Sequence, residues 1–376
     1  RMRIAYIGIK GLPGTSGGIE THVHELGRRL AARGHDVTAY VRPHYTPREI
    51  TEQDGITLRH LPTIASKHLD ASVHSFLSSL DTIVKSYHIV HFHAIGPGAF
   101  APLALPSRSK IITTIHRMDY LSGKWGRFAR FCLQSAERVC LKTSHRTIVI
   151  APWLQAHYRE LGYDVEFIPN GVPLPEPGIG TGEIRSLGLE PNGYFLFLGR
   201  LVPEKRPDWM IRAFMDAMGD SATRLVIAGG SSATDDYVEE LKRLAEPAGD
   251  RIRFTGPVYG DTKEQLLAHA RTFLLPSALE GLPITLLEAM SYGRPCLVSD
   301  IPPHRDVLAE GENGLMHSQS DLENLKTRMV QVDGMSPDTL AEIGRAARRT
   351  VREGFDWDDI TGQTEELYRT VLSEAR

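Results

Sequence analysis

The sequence predicts an α/β protein made of two doubly wound, parallel-sheet domains in tandem. Three observations carry this. Short apolar runs rich in Ile, Val, Leu and Phe alternate with helical patterns, the mark of parallel strands joined by crossover helices. The alternation stops at a breaker-rich stretch near the middle and then restarts. A chain of 376 residues has the length of two domains at roughly 100–200 residues each.

In the first half the expected strands are residues 3–9, 36–41, 89–93, 110–115 and 147–150. Between the first two, residues 18–33 set Ile19, Val23, Leu26 and Leu30 on one helical face, and Gly34 ends the helix. Pro173, Pro175, Pro177, Gly178, Gly180 and Gly182 then mark a linker, so the first domain is placed at 1–172. Strands resume at 194–198, 224–228, 251–255, 272–275 and 295–299, with helical patterns at 236–245, 262–269 and 284–292. This places a second domain at 183–354, followed by a helix at 355–376 that should return toward the first. Two such domains leave a cleft facing the carboxyl ends of both sheets, where open α/β folds bind ligands. The loops that follow strands are therefore the ones to read for chemistry.

Composition narrows the function classes. With 41% hydrophobic and 24% charged residues, the chain is an ordinary globular one, which excludes collagen-like, coiled-coil and disordered readings. The net charge of −3 conceals an asymmetry: residues 1–170 carry 21 Lys+Arg against 13 Asp+Glu, a balance of +8, and the remainder carries 22 against 33, a balance of −11. An anionic partner for the first half and a merely solvated basic face both fit this. Cys132, Cys140 and Cys296 show no CxxC spacing, which argues against a disulfide framework or a zinc site and for a reducing compartment. The start at Arg3-Ile4-Ala5-Tyr6-Ile7 lacks the regions of an export signal. The uncharged run 94–107 contains Pro97, Pro102 and Pro106 and is shorter than the about 20 apolar residues of a membrane span. The expectation is a cytoplasmic protein, at most peripheral at the inner face of the cell membrane.

Three loops stand out. Lys10-Gly11-Leu12-Pro13-Gly14-Thr15-Ser16-Gly17-Gly18-Ile19-Glu20 is a glycine-rich loop entering a helix, where backbone N–H groups and the helix dipole favour an anion. An ordinary flexible turn reads the same way. The loop has neither GxGxxG spacing nor a GKS or GKT, so a dinucleotide fingerprint and a P-loop are both unsupported. After strand 194–198, Arg200 and Lys205 suit a diphosphate, one as a bidentate fork and the other as a point charge. A solvated loop or an Arg200–Glu204 surface pair is the alternative. After strand 272–275 comes Glu280-Gly281-Leu282-Pro283-Ile284-Thr285-Leu286-Leu287-Glu288. Glu280 falls in the loop and Glu288 inside the next helix, while Gly281 to Thr285 offer backbone donors at the helix N-terminus. Taken alone, the two carboxylates read equally as a helix-terminus charge and an exposed helical residue.

Together and in this order, the Gly17-Gly18-Ile19-Glu20 loop, Gly199-Arg200-x4-Lys205 and Glu280-x7-Glu288 resemble glycosyltransferase family 4. Its members are retaining, nucleotide-sugar-dependent enzymes of the GT-B fold, two Rossmann-like domains facing a cleft. Ile168-Pro169-Asn170-Gly171-Val172, Glu288-Ala289-Met290-Ser291-Tyr292-Gly293-Arg294-Pro295 and Glu312-Asn313-Gly314-Leu315 agree, so the resemblance spans essentially the whole chain and is most specific in the second half. Lys10-Gly11-Leu12-Pro13, His91-Phe92-His93-Ala94-Ile95-Gly96-Pro97-Gly98 and His116-Arg117-Met118-Asp119-Tyr120 look like bacterial members that build surface polysaccharides or lipid-linked saccharides.

The resemblance implies transfer of a sugar from a UDP-, GDP- or dTDP-sugar to an acceptor hydroxyl, with no cofactor or metal required. The first domain would bind the acceptor and the second the donor. Arg200 and Lys205 would hold the diphosphate, Glu288 the ribose, Glu280 the donor sugar, and Gly17 and Gly18 would approach the diphosphate. His116 would lie beside the donor sugar, and the base would rest on the loop Gly256-Pro257-Val258. His91, His93, Arg117 and Asp119 are expected toward the acceptor, a glycan, lipid-linked saccharide or small molecule. These roles match the chemistry, because breaking the sugar–phosphate bond puts negative charge on the diphosphate and positive charge on the sugar.

Other patterns need weighing. Asp356-Trp357-Asp358 matches a metal-binding DxD string but precedes a helical pattern, which favours a helix cap. His91 and His93 alternate on one strand and so share a face; without a further Cys/His cluster, a packed or hydrogen-bonded pair is favoured over metal ligands. Lys124, Trp125, Arg127, Phe128 and Arg130 open a helical pattern that sets Trp125, Phe128, Cys132, Ala136 and Val139 on one face. It suits an anionic membrane surface, or a core-facing helix with a wet basic side. Nucleic acid is disfavoured, since the second half is acidic and no binding module is present. The competing functions are a GT-B-like sugar nucleotide epimerase or phosphorylase and a non-catalytic nucleotide-sugar binder.

Overall fold

Near-continuous apolar runs become parallel strands buried on both faces, as a sheet covered by helices on each side requires. The computed structural model describes residues 1–13, 18–64, 69–121, 126–230 and 235–374. The chain forms two units, Arg1–Gly171 with Trp357–Arg376, and Val172–Asp356.

The first unit holds strands β1 (Arg3–Ile7), β2 (Asp36–Val41), β3 (Glu52–Gln53), β4 (Ile56–His60), β5 (Ile89–His93), β6 (Lys110–Ile115), β7 (Arg146–Val149) and β8 (Glu166–Phe167). They pair in the order β3-β4-β2-β1-β5-β6-β7-β8, parallel throughout except for the antiparallel β3–β4 edge. Helix Gly18–Ala32 lays Val23, Leu26 and Leu30 on the sheet. Helix Trp357–Ser373 belongs to this unit and adds Trp357, Ile360 and Tyr368 to the core that holds Ile4 and Tyr6. Gly171 lies directly under Trp357, where a Cβ would stand 2.5 Å from the indole Cδ2.

The second unit holds β9 (Tyr194–Leu198), β10 (Arg224–Ala228), β11 (Ile252–Gly256), β12 (Thr272–Leu275), β13 (Cys296–Ser299) and β14 (Leu315–His317), all parallel in the order β11-β10-β9-β12-β13-β14. In each sheet the strand order reverses once, between β1 and β5 and between β9 and β12. The carboxyl ends of these pairs are the ligand-binding positions of open α/β sheets.

The first strand stops at Ile7 rather than running to residue 9, because Gly8 turns the chain at φ 114° and passes so close to His93 that a Cβ would lie 2.4 Å from its carbonyl oxygen. The unpredicted strands β3, β4, β8 and β14 are short or mixed in polarity. Three of them lie at or next to a sheet edge and the fourth ends the second sheet, where apolar continuity is not required. All three cysteines are free. Among the described residues no helix is long and apolar enough to cross a membrane.

Candidate functional site

In the second unit, the loops after β9 and β12 meet at the switch point. Lys205 sits in the short turn Pro203–Lys205, and its Nζ lies 2.7 Å from Glu280 Oε1. The Ser277 hydroxyl donates to the same oxygen at 2.7 Å. The backbone N–H of Ala278 donates to the Glu204 carbonyl at 2.8 Å, tying the two loops together. The Lys205 and Glu280 side chains are 14% and 11% exposed. Burial disfavours the Glu280 charge, but the Lys205 ammonium and the Lys205 and Ser277 hydrogen bonds outweigh it and hold the carboxyl below its ordinary value. Behind this pair, Ser299 Oγ donates to the Ser277 carbonyl. Buried His304 has Nδ1 2.7 Å from the Ser299 carbonyl, which can only accept, so the ring proton sits on Nδ1. Burial pushes His304 down to about 4, leaving it neutral at pH 7. Arg200 is exposed at the start of its loop and makes no ion pair among the described residues, which sets aside the Arg200–Glu204 pair.

Glu288 is not the exposed helical residue of the simpler reading. It lies on helix Ile284–Ser291, is 16% exposed, and pairs with Lys263 Nζ at 2.7 Å. Lys263 comes from helix Gly260–His269, and no sequence spacing linked the two. Helix Ile284–Ser291 begins after Pro283 in extended conformation without a side-chain cap, and among the described residues no side chain bonds the backbone N–H of Ile284 or Thr285. Gly281, Leu282 and Pro283 are buried against its start, and Val258 is half-buried in the loop after β11.

In the first unit the switch point is lined by histidines. His93 ends β5, His116 follows β6, and His22 projects from the helix after β1. His93 Nδ1 and His116 Nε2 are 3.2 Å apart. His91 stacks on His93 with ring centres 4.3 Å apart, and both its nitrogens are engaged, Nδ1 with Tyr368 Oη at 2.6 Å and Nε2 with Thr114 Oγ1 at 2.7 Å. His91 is thus a packed, hydrogen-bonded residue. The premise that no further histidines accompany the pair is corrected, because His22 and His116 arrive from other elements. Burial drives all four imidazoles below their ordinary value, His22 to about 4, and His91, His93 and His116 well below it with repulsion between the rings added. Four neutral imidazoles at pH 7 are the result.

Gly18 opens the helix after β1, and Glu20 Oε1 accepts from the Lys10 backbone N–H at 3.0 Å, anchoring the loop start. Gly17, Lys124, Trp125 and the Asp119 side chain lie outside the described residues. Arg117 follows His116 and is half-buried.

The basic helix corrects the core-facing reading. In helix Arg127–Thr143 the buried residues are Glu137 and Cys140, whereas Phe128 is 80% and Phe131 65% exposed, beside exposed Arg127 and Arg130. Cys132 and Val139 are also exposed. Tyr158 and Tyr120 both donate to Glu137 Oε1, which lets a carboxyl occupy the inward face that apolar spacing assigns elsewhere. In the Asp356-Trp357-Asp358 string, Trp357 is core and Asp358 accepts from Arg29 Nε at 3.1 Å.

Comparison with known proteins places this architecture. A family profile described as Glycosyltransferase Family 4 matches residues 16–175, and one described as Glycosyl transferases group 1 matches residues 192–332. The chain is 26% identical to the D-inositol 3-phosphate glycosyltransferase of Acidothermus cellulolyticus, over 100% of this chain and 91% of that one. It is similar in structure to sucrose-phosphate synthase from Thermosynechococcus elongatus, with a TM-score of 0.84 and 20% identity over 100% of both chains. HepE of Anabaena, solved with UDP and glucose, gives a TM-score of 0.82 at 18% identity, over 98% of this chain and 100% of that one. The structural likenesses establish the GT-B fold, and the two profiles cover most of the chain in sequence order. The chain is therefore a glycosyltransferase and belongs to glycosyltransferase family 4.

Proposed function

We propose that this glycosyltransferase is retaining, requires no metal, and moves a sugar from a UDP-, GDP- or dTDP-sugar to an acceptor hydroxyl in surface glycan or glycolipid synthesis. The observation that carries the reading is the buried Lys205–Glu280–Ser277 cluster at the β9/β12 switch point. A cation, a carboxylate and an uncapped helix start at the carboxyl ends of adjacent strands are the groups a diphosphate sugar needs. UDP and glucose in the structurally similar HepE support the donor class.

In this reading the second unit binds the donor and the first the acceptor. Arg200, Lys205 and the backbone donors of Ile284 and Thr285 take up the charge that develops on the diphosphate as the sugar–oxygen bond breaks. Glu288, steadied by Lys263, accepts from the ribose hydroxyls, and the base rests against Val258. Glu280 and the neutral His116 orient the sugar as positive charge develops on it. The acceptor oxygen attacks from the face the diphosphate leaves, its proton passes to the departing phosphate oxygen, and the anomeric configuration is kept.

The test is a thermal-shift panel of UDP, GDP, dTDP and ADP with their sugar conjugates, with and without EDTA. One nucleotide should be preferred and should stabilise equally in EDTA; at about 100 times its dissociation constant it adds roughly 2.7 kcal/mol. Arg200→Ala should weaken that nucleotide by about 1–3 kcal/mol without changing the stability of the free protein. Wild-type affinity in this variant would remove Arg200 from the diphosphate site. Turnover lost in EDTA and restored by Mn²⁺ would oppose the metal-free reaction, and a product of inverted anomeric configuration would oppose retention.

The exposed Phe128 and Phe131, flanked by Arg127 and Arg130, give the reading a second partner, an anionic membrane surface at the cytoplasmic face. Co-sedimentation with phosphatidylserine-containing vesicles should fall with salt and be lost in the Phe128→Ser/Phe131→Ser double variant. Unchanged binding by that variant would remove this helix as the contact.

A further inference from the structure

The histidines at the β1/β5 switch point have a geometry beyond what hydrogen bonding needs. One nitrogen each from His22, His93 and His116 lies within 4.8 Å of the others, and all three side chains are buried. Their ring centres are 5.1, 5.5 and 5.5 Å apart, and the His93 Nδ1 to His116 Nε2 separation is 3.2 Å. Three imidazoles on one tetrahedral ion, each at about 2.0–2.1 Å, hold their nitrogens about 3.4 Å and their ring centres about 5 Å apart.

Two further observations point to a ligand. His22 Nδ1 and His93 Nε2 are buried without a hydrogen-bond partner, as is the indole Nε1 of Trp357, whose ring centre is 5.5 Å from that of His22. An ion can relieve an unpartnered imidazole nitrogen that carries no proton, whereas the indole N–H needs an acceptor such as an ordered water. One of the rings is held from outside as well. His91, fixed between Tyr368 and Thr114, stacks on His93.

We propose that His22, His93 and His116 form a three-imidazole site for a nitrogen-preferring divalent ion of the Zn²⁺, Co²⁺ or Ni²⁺ class, with a fourth position left to water. An all-imidazole set does not suit Mg²⁺ or Ca²⁺, which select oxygen ligands. The site lies wholly within the first unit and does not rest on the reading above. One consequence does rest on it: an ion that occupies His116 takes that ring from the donor sugar, so loading should inhibit transfer.

The test uses the full chain, stripped with a chelator and titrated with Co²⁺ under equilibrium dialysis and visible absorption. One equivalent should bind with the intense absorption of tetrahedral Co²⁺ and be displaced by Zn²⁺. His22→Gln and His93→Gln should each weaken binding at least about 100-fold, since losing a ligand exceeds losing a group that only orients one. No tetrahedral absorption, or wild-type affinity in both variants, overturns the site. Should a variant fail to fold, X-ray absorption on the Zn²⁺-loaded wild-type chain decides: three imidazole nitrogens sustain the proposal and fewer overturn it. Stoichiometric binding with undiminished turnover sustains the metal site and counts against His116 acting at the reacting centre.

Discussion

Lys205→Met should lower the stability of the free protein at pH 7 by about 3–5 kcal/mol, because it leaves the Glu280 carboxylate buried without its counter-ion. The pH dependence carries the sign. In the wild type the carboxyl is held below its ordinary 4.5, so its contribution is present above that value and is lost as pH falls through the lower folded value. In the variant, burial is opposed by the Ser277 hydrogen bond and a smaller contribution from His304, and the carboxyl moves above its ordinary value. Its contribution is then present at low pH and lost as pH rises. The deficit measured by denaturant unfolding should therefore be largest near neutrality and shrink toward pH 4. A deficit that stays constant over this range would mean that Lys205 stabilises through packing and not through Glu280.

Glu280→Gln should lower kcat by about 10²- to 10³-fold while nucleoside diphosphate binding holds or tightens. The two quantities part because the amide keeps an oxygen for the Lys205 and Ser277 donors but gives up the charge. Lys205 is then free to serve the diphosphate alone, so the donor binds, but the carboxylate no longer faces the positive charge developing on the sugar. Single-turnover kinetics with the nucleotide chosen by the thermal-shift panel would separate the two. Turnover within about threefold of wild type would remove Glu280 from the reacting sugar, and if affinity fell while turnover held it would be a binding residue only.

Much of this architecture is legible because parallel sheets impose a strong pattern. A strand covered on both faces must be apolar throughout, and β2, β5, β6, β9, β10 and β12 were placed at their observed bounds on that ground. The loops that carry Lys205 and Glu280 stand out by the same logic, since ligands of open α/β sheets bind beyond the strand ends. The edge strands β3 and β8 escaped because two residues at a sheet margin need no apolar run. Glu137 escaped for the opposite reason: a carboxyl between two tyrosine hydroxyls is buried by hydrogen bonds that apolar periodicity does not register. The exposure of Phe128 and Phe131 follows from it, because the inward face of that helix is rotated away from the one the phenylalanines mark.

Residue order alone thus determined the class of fold, the two-sheet division, the family and the loops proposed to bear the donor chemistry, all of which follow from local pattern and short-range spacing. Folding decided which side chains meet. Lys263 reaches Glu288 across two helices, and His22, His93 and His116 converge from a helix and two strand ends separated by 71 and 23 positions. No periodicity links such residues. They are joined only where parallel strands reverse their order and bring distant loops to the same end of one sheet, and there burial sets their charge state as much as their identity does.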